Sequence, residues 1–526
     1  MRRKQKLNAV IFIPTFSIIF IAALIGIFNN EALVSVAKSV FYFSLSDFSW
    51  LYQLGTVSAL IIVGFVFFSP IGKIRLGGAD AKPNFSFASN FAIALSGGIA
   101  TGVVTYSVNE PIILLGNIYG EIAKQGFDPV SAEAAIFAIA RTYHNWGFIP
   151  YATYSIVGLM IAYMHYNRKE KFSIASTLVP LFGQKVYHPA SVAIINIFSV
   201  LAIALGLAAS LGAGLALISS GIESYYGVPA NPITWLVLTL VIATAFILSA
   251  VSGLKRGIRI LSSVNAYIFY LFLFILLVVG PLGYILSLST TSLGYWLNNV
   301  LLWSFDTKEH GGEALVTWWT MYDWSIWIAY APLMGLFLAR ISYGRTIREF
   351  LIINWILPAM FSMVWFAVWG ASAIKWQLDG TLDLIQIITD NGAVAGLWAF
   401  LQNLPFAFIL IPLAIFTLII SFSTAADSMT STIATICTKD IDADEEAPTY
   451  LKIVWGVSIG VIAYVMVAFG GGSQGVDGIK YLAAAGGSMV VILFILILMS
   501  AFKLFIYNKD TIIPEAISKP SQKEEP

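Results

Sequence analysis

Charge is what this chain of 526 residues has least of: Asp, Glu, Lys and Arg together make up 11% of it. A soluble domain carries about 25%, so a water-wetted globular surface is excluded. Histidine occurs 4 times and cysteine once, at Cys437. One thiol cannot close a disulfide within the chain, and no spacing of Cys, His or acidic residues has the pattern of a metal site. A net charge of +1 leaves no basic surface for a nucleic-acid partner. What is abundant is apolar: 58% of residues are hydrophobic, and the mean hydropathy is +0.83. That is the composition of a polytopic membrane protein, with the lipid bilayer as its main partner.

Spans of about 20 apolar residues mark off twelve candidate crossings, at 8–28, 50–69, 89–116, 135–165, 190–219, 231–251, 262–288, 315–340, 349–374, 398–436, 450–470 and 479–505. The first lacks a small-x-small cleavage site and reads as a retained anchor. With the N-terminus placed in the cytoplasm, 23 of the 29 Lys and Arg fall on the inward side. Outward connections hold only Lys38, Lys124, Lys308, Lys375 and Lys480, and Arg141 lies within a span. This bias orients the chain with both termini cytoplasmic. The outward loop 289–313 contains LGYWLNNVLLWSF, apolar on one face and polar on the other, which predicts a helix lying at the membrane surface. The mixed-charge segment from Asp510 to Pro526 reads as a disordered cytoplasmic tail.

Residues 318–350 read WWTMYDWSIWIAYAPLMGLFLARISYGRTIREF, four tryptophans and three tyrosines crowding an apolar helix that Pro332 is expected to break and a basic loop to close. Ring faces attract cations, above all alkylated ammonium groups that water solvates poorly. A second aromatic set, Trp146, Tyr151 and Tyr154 in span 4, has the spacing of one helical face. Span 3 carries SGGIATG, whose glycines loosen a helix. Interrupted helices in corresponding positions of two halves point to an inverted-repeat transporter, with its site at the breaks.

Four segments resemble the betaine/carnitine/choline transporter family: FLARISYGRTIREF after span 8, HNWGFIPYATYSIVGLMIAYMHY in span 4, SGGIATGVVTYSVNEP in span 3 and ISFSTAADSMTS in span 10. The resemblance implies an all-α fold of 12 transmembrane helices, a LeuT-like 5+5 inverted repeat preceded by two extra helices. The expected organisation is an N-terminal region with helices 1–2 at 1–88, a first repeat (helices 3–7) at 89–290 and an interfacial helix at 291–313. A second repeat (helices 8–12) follows at 314–508, then the tail at 509–526. It also implies a trimer in the cell membrane, the inner one in a two-membrane cell. No catalytic residue is expected. A channel or a membrane enzyme are the rival classes, but no continuous polar pore and no convergent catalytic set is visible.

By the same resemblance, Trp146, Tyr151 and Tyr154 with Trp324, Trp327 and Tyr330 form a cage for a quaternary ammonium head. Gly98, Ala100 and Gly102 present backbone N–H groups to a substrate carboxylate. Ile326 stands where the family commonly has tryptophan, so the cage is thinner. Asp323 is another departure, and an ionisable residue in a span is a functional candidate. Balancing a cationic substrate, carrying a proton and lying near the outer water stay open for it. No cofactor is implied beyond Na+ as a coupling ion. Its ligands would be the backbone carbonyls of Ser96, Ile99 and Ser421 with the hydroxyl of Thr424, while Ala425 lacks the hydroxyl expected there. Import of glycine betaine, carnitine or a similar zwitterion with Na+ is the leading expectation. Na+-independent exchange and proton-coupled uptake of a cation such as choline remain alternatives.

Overall fold

The structure is a computed structural model, and it describes residues 6–98, 102–252, 255–439, 447–469, 476–509 and 512. Its principal helices are α1 Ala9–Phe28, α2 Asn30–Phe41, α3 Ser49–Phe68, α4 Phe87–Gly98, α5 Gly102–Gly116, α6 Ala132–Trp146, α7 Phe148–Tyr166 and α8 Pro189–Tyr226. They continue with α9 Pro232–Ser252, α10 Lys255–Val279, α11 Leu282–Ser304, α12 Tyr322–Ile341, α13 Leu357–Leu378, α14 Ala407–Ile436, α15 Thr449–Phe469 and α16 Val476–Ala501. Apart from these and shorter helical turns, Lys6–Leu7 pairs antiparallel with Thr438–Lys439. The start of α1 and the end of α14 therefore lie side by side.

Among the described residues, 9 helical stretches are long and apolar enough to cross a bilayer, or 10 if 264–279 and 282–304, bent by 110°, count as one. Two of the twelve expected spans are not in that set. One is represented by α4 and α5, of 12 and 15 residues. The other corresponds to α9, whose apolar stretch Pro232–Ile247 is shorter. The expected tail lies outside the described residues, apart from Lys509 and Ile512.

Two sequence expectations need correcting. Pro332 does not break its helix, because α12 runs through it without interruption. In a helix packed by others, a proline costs one hydrogen bond and neighbours hold the rest together. The irregular turn lies earlier, a π-helical stretch at Val316–Met321. The helix expected in the loop 289–313 also starts sooner, within the seventh expected span. α11 begins at Leu282, directly after Gly280-Pro281, where the imide can neither donate nor continue a helix. Its buried residues Ile285, Leu288, Ser292, Trp296 and Trp303 recur at helical spacing, whereas Leu286, Leu297, Leu301 and Leu302 are exposed.

The centre is built by α7, α12, α16 and α8 packing on one another, and small residues set how closely they approach. A Cβ on Gly335 would lie 2.6 Å from Val157 Cγ1 and 3.1 Å from the Gly158 nitrogen, and one on Gly487 would lie 2.7 Å from the Ser325 carbonyl oxygen. The basic loop after α12 is fixed by its arginines. Arg348 donates from Nε to the Phe67 carbonyl at 2.9 Å and from Nη2 to Ser69 at 3.0 Å, satisfying the carbonyls left open at the end of α3. Gly344, at φ +77°, has the Lys82 backbone where a side chain would begin.

Replacing Gly335 with Val should therefore overpack the α7–α12 seam and cost about 1–3 kcal/mol. Gly64→Ala, where nothing lies within 4 Å of the added carbon, should leave stability unchanged or raise it slightly. Thermal unfolding of the detergent-solubilised variants measures both, and equal melting temperatures would contradict this packing account.

Candidate binding site

One face of α12 carries Tyr322, Asp323, Ile326, Trp327, Tyr330 and Met334, all bordering a cavity of about 110 Å³. The spacings of 3 and 4 residues along that series place them on one stripe of the helix. α5 closes the cavity with Gly102, Thr105 and Tyr106, the α6–α7 region contributes Trp146 and Tyr154, and α8 adds Gly206, Ala209, Ser210 and Ala213. Ala425, Met429 and Ala483 complete the wall.

Trp327 is the hub of the rings. Its centroid lies 4.5 Å from Tyr154, 4.6 Å from Tyr151 and 6.4 Å from Trp146. Tyr151 supports Trp327 from behind and does not itself border the cavity. Trp146 stacks on Phe366 at 5.6 Å and meets Tyr106 at 5.7 Å. The structure thus brings together Trp146, Tyr154, Trp327, Tyr330, Gly102 and Asp323. It places Trp324 elsewhere: fully buried, with its ring 5.3 Å from His144. The reason is angular, since Trp324 sits one residue round the helix from the cavity stripe.

Gly102 also packs directly against the rings. A Cβ there would meet the Trp146 ring at 2.5 Å, so the bare backbone is the bed on which the indole lies. Of the glycine stretch, Ser96 and Gly98 are described only as helical backbone of α4, and Ile99 and Ala100 lie outside the described residues. On α14, the Thr424 hydroxyl donates to the Ile420 carbonyl at 2.8 Å, and the Ser421 hydroxyl accepts from Asn265 Nδ2 at 2.7 Å. Both hydroxyls therefore have partners within the protein.

Several site residues were not singled out by sequence reasoning. Trp146 Nε1 donates to Glu110 Oε2 at 2.7 Å and Asn145 Nδ2 to Glu110 Oε1 at 2.8 Å. Thr320 Oγ1 donates to Asn145 Oδ1 at 3.0 Å and receives Arg141 Nη2 at 2.5 Å. Arg141, which the sequence places within a span, is fully buried, with its guanidinium 4.9 Å from the Trp303 ring. The available signal was the spacing of Gly102, Tyr106 and Glu110, four residues apart on one face of α5.

Lys480, assigned from sequence to an outward loop, is instead on α16 and 7% exposed. Its ammonium sits 4.6 Å from Trp319, 5.0 Å from Tyr322 and 5.7 Å from Trp318, and donates to the Trp318 carbonyl at 3.3 Å. Trp318 and Trp319 are thus walls around a resident cation. Trp319 also donates to Glu121 at 3.3 Å. Burial pushes the Glu121 carboxyl above the ordinary range, partly opposed by backbone N–H groups, Trp319 and Lys480. Asp323 is 1% exposed, and neither of its oxygens has a hydrogen-bond partner among the described residues.

An aromatic-walled cavity, lined by rings from separate helices of a bundle in which most helices are long and apolar enough to cross a bilayer, belongs to a multi-pass membrane protein. The model of the BCCT family, betaine/carnitine/choline family transporters, matches residues 10–510, and the chain belongs to that family. It is 34% identical over 469 residues to a probable glycine betaine transporter of Desulfitobacterium hafniense (strain Y51), covering 89% of this chain and 91% of the relative. It is 33% identical over 476 residues to the glycine betaine transporter OpuD of Bacillus subtilis (strain 168), covering 90% of each. An osmo-dependent choline transporter, BetT2, of Acinetobacter baylyi (strain ATCC 33305 / BD413 / ADP1) is 30% identical over 472 residues, covering 89% of this chain and 67% of the relative. Members of the family are transporters, not enzymes.

Removing the Glu110 carboxylate would leave two buried donors unmatched, at roughly 1–3 kcal/mol each. Glu110→Ala should lower the melting temperature and shift the tryptophan emission, and Glu110→Gln, which keeps one acceptor oxygen, should recover part of both. Unchanged melting and emission in Glu110→Ala would mean that the Trp146 bond does not organise the site.

Proposed function

We propose that this protein imports a quaternary or related alkylated ammonium compound across the cell membrane by alternating access. The observation that carries this reading is Trp327, fixed between Tyr151, Tyr154 and Trp146 and facing the central cavity. Each ring face turned to a desolvated cation contributes about 0.5–2 kcal/mol, so three or four rings suffice for micromolar to millimolar binding without an ion pair. The names of the relatives, glycine betaine and choline transporters, agree with that chemistry.

The fuller reading has twelve spans in a 2+5+5 order, with α4–α5 and α12 as the corresponding site helices of the two halves, and both termini in the cytoplasm. Pairing of Lys6–Leu7 with Thr438–Lys439 supports a common side for the N-terminus and the end of α14. The exposed leucines of α11 offer an apolar face for a trimer. Na+ drives uptake in this reading, bound by carbonyls between α4 and α14. Exchange and proton coupling are the alternatives, separated by uptake with and without a Na+ gradient.

Binding and uptake of labelled glycine betaine and choline in proteoliposomes test the assignment. Trp327→Ala should weaken binding at least tenfold with the fold retained, and Trp146→Ala should weaken it several-fold. Trp324→Phe should bind as wild type, because that ring lies outside the cavity. Wild-type uptake by Trp327→Ala would refute the cage.

A further inference from the structure

Asp323 is a buried carboxylate on the cavity wall beside Tyr322, Trp327 and Tyr106, and both of its oxygens lack a hydrogen-bond donor among the described residues. The other acid close by is unlike it: Glu110 receives both Trp146 and Asn145. Among the described residues that line the cavity, none is Lys or Arg. The nearby cation, Lys480, acts on Asp323 electrostatically, but its ammonium is held by Trp318, Trp319 and Tyr322 and by the Trp318 carbonyl. A desolvated carboxylate needs donors as well as positive charge. A fully methylated nitrogen brings charge but only C–H groups. A protonated tertiary or secondary ammonium brings the same charge and an N–H, and a charge-assisted hydrogen bond is about twice as strong as a neutral one.

Resting on the proposed ammonium cage, we propose that Asp323 is a specificity-determining residue that selects alkylated ammonium compounds bearing at least one N–H over their fully methylated counterparts. The rings take the alkyl groups of the head, and the N–H points to the carboxylate. Ile326, smaller than an indole, leaves the α12 wall beside Asp323 and Trp327 less crowded by rings.

The probe pair is N,N-dimethylglycine, protonated on nitrogen at neutral pH, and glycine betaine, which differs by one methyl group in place of that proton. Both are titrated into purified full-length wild-type protein and Asp323→Asn by calorimetry or tryptophan fluorescence. The expected result is at least a tenfold tighter Kd for dimethylglycine in the wild type, with the ratio falling towards one in Asp323→Asn. Equal binding of the two by the wild type, tighter binding of glycine betaine, or an unchanged ratio in Asp323→Asn overturns the assignment and leaves the cage standing. Binding of neither probe by folded wild-type protein overturns the cage reading itself. Should Asp323→Asn not be recovered folded, the wild-type ratio alone decides.

Discussion

The bond from the Trp146 indole to Glu110 is the constraint on which the cavity depends. A carboxylate inside a bilayer-spanning bundle is costly unless donors surround it, and here two donors from α6 reach it across the α5–α6 seam. The same bond fixes the plane of the indole. Its far edge lies on bare Gly102, one face is covered by Phe366, and what remains meets Trp327. Neither half works alone. A side chain at Gly102 would lift the ring from its bed, and without Glu110 the ring would be held by packing only. The polar chain then runs on through Asn145 and Thr320 to Arg141, so the turn that begins the aromatic run of α12 is tied to the same network.

Two groups of rings do related work at different places. Trp318, Trp319 and Tyr322 surround the ammonium of Lys480, a cation supplied by the chain. Trp146, Tyr154, Trp327 and Tyr330 surround the cavity. Tyr322 belongs to both, since it borders the cavity and also lies under Lys480. The π-helical turn at Val316–Met321 is what permits this arrangement. It is wider than an α-helical turn, and the two tryptophans it carries, Trp318 and Trp319, meet Lys480 of α16 while the residues after it border the cavity.

Much of this was legible because it depends on local spacing. The meeting of Trp146 with Trp327, the neighbouring Tyr151 and the membrane class follow from residues that lie on one face or within one apolar run. Tyr106 and Glu110 were equally legible in principle, spaced by four from Gly102, but a glycine motif draws attention to the backbone and away from the face beside it. What could not be read is what depends on a partner far along the chain. Lys480 looks like any loop lysine until α16 is docked on the aromatic run. Gly206 looks like a packing glycine until Tyr330 is found 3.2 Å from where its side chain would start. Pro332 suggested a break because the isolated helix would kink there, and the tertiary packing of α12 decides otherwise.

The angular order on α12 explains why its aromatic richness is not all cage. Residues 323, 327, 330 and 334 are separated by 4, 3 and 4 positions, and with 322 and 326 they span one broad stripe. Residue 324 is about 100° from 323 on the wheel, which turns its indole towards His144 and the α6 side. The stripe is therefore graded along the helix: ionic at Asp323, aromatic at Trp327 and Tyr330, apolar and polarisable at Met334. In the proposed reading, a guest with a cationic head would meet charge and π-faces within a single turn, with Met334 and Met429 further along the wall. Because α12 carries both the ring and the acid on one rigid element, their separation is set by the helix pitch and not by loop geometry. Movement of neighbouring helices would leave that spacing unaltered, which is what the proposed alternating access requires of a site that holds one guest while open to either side.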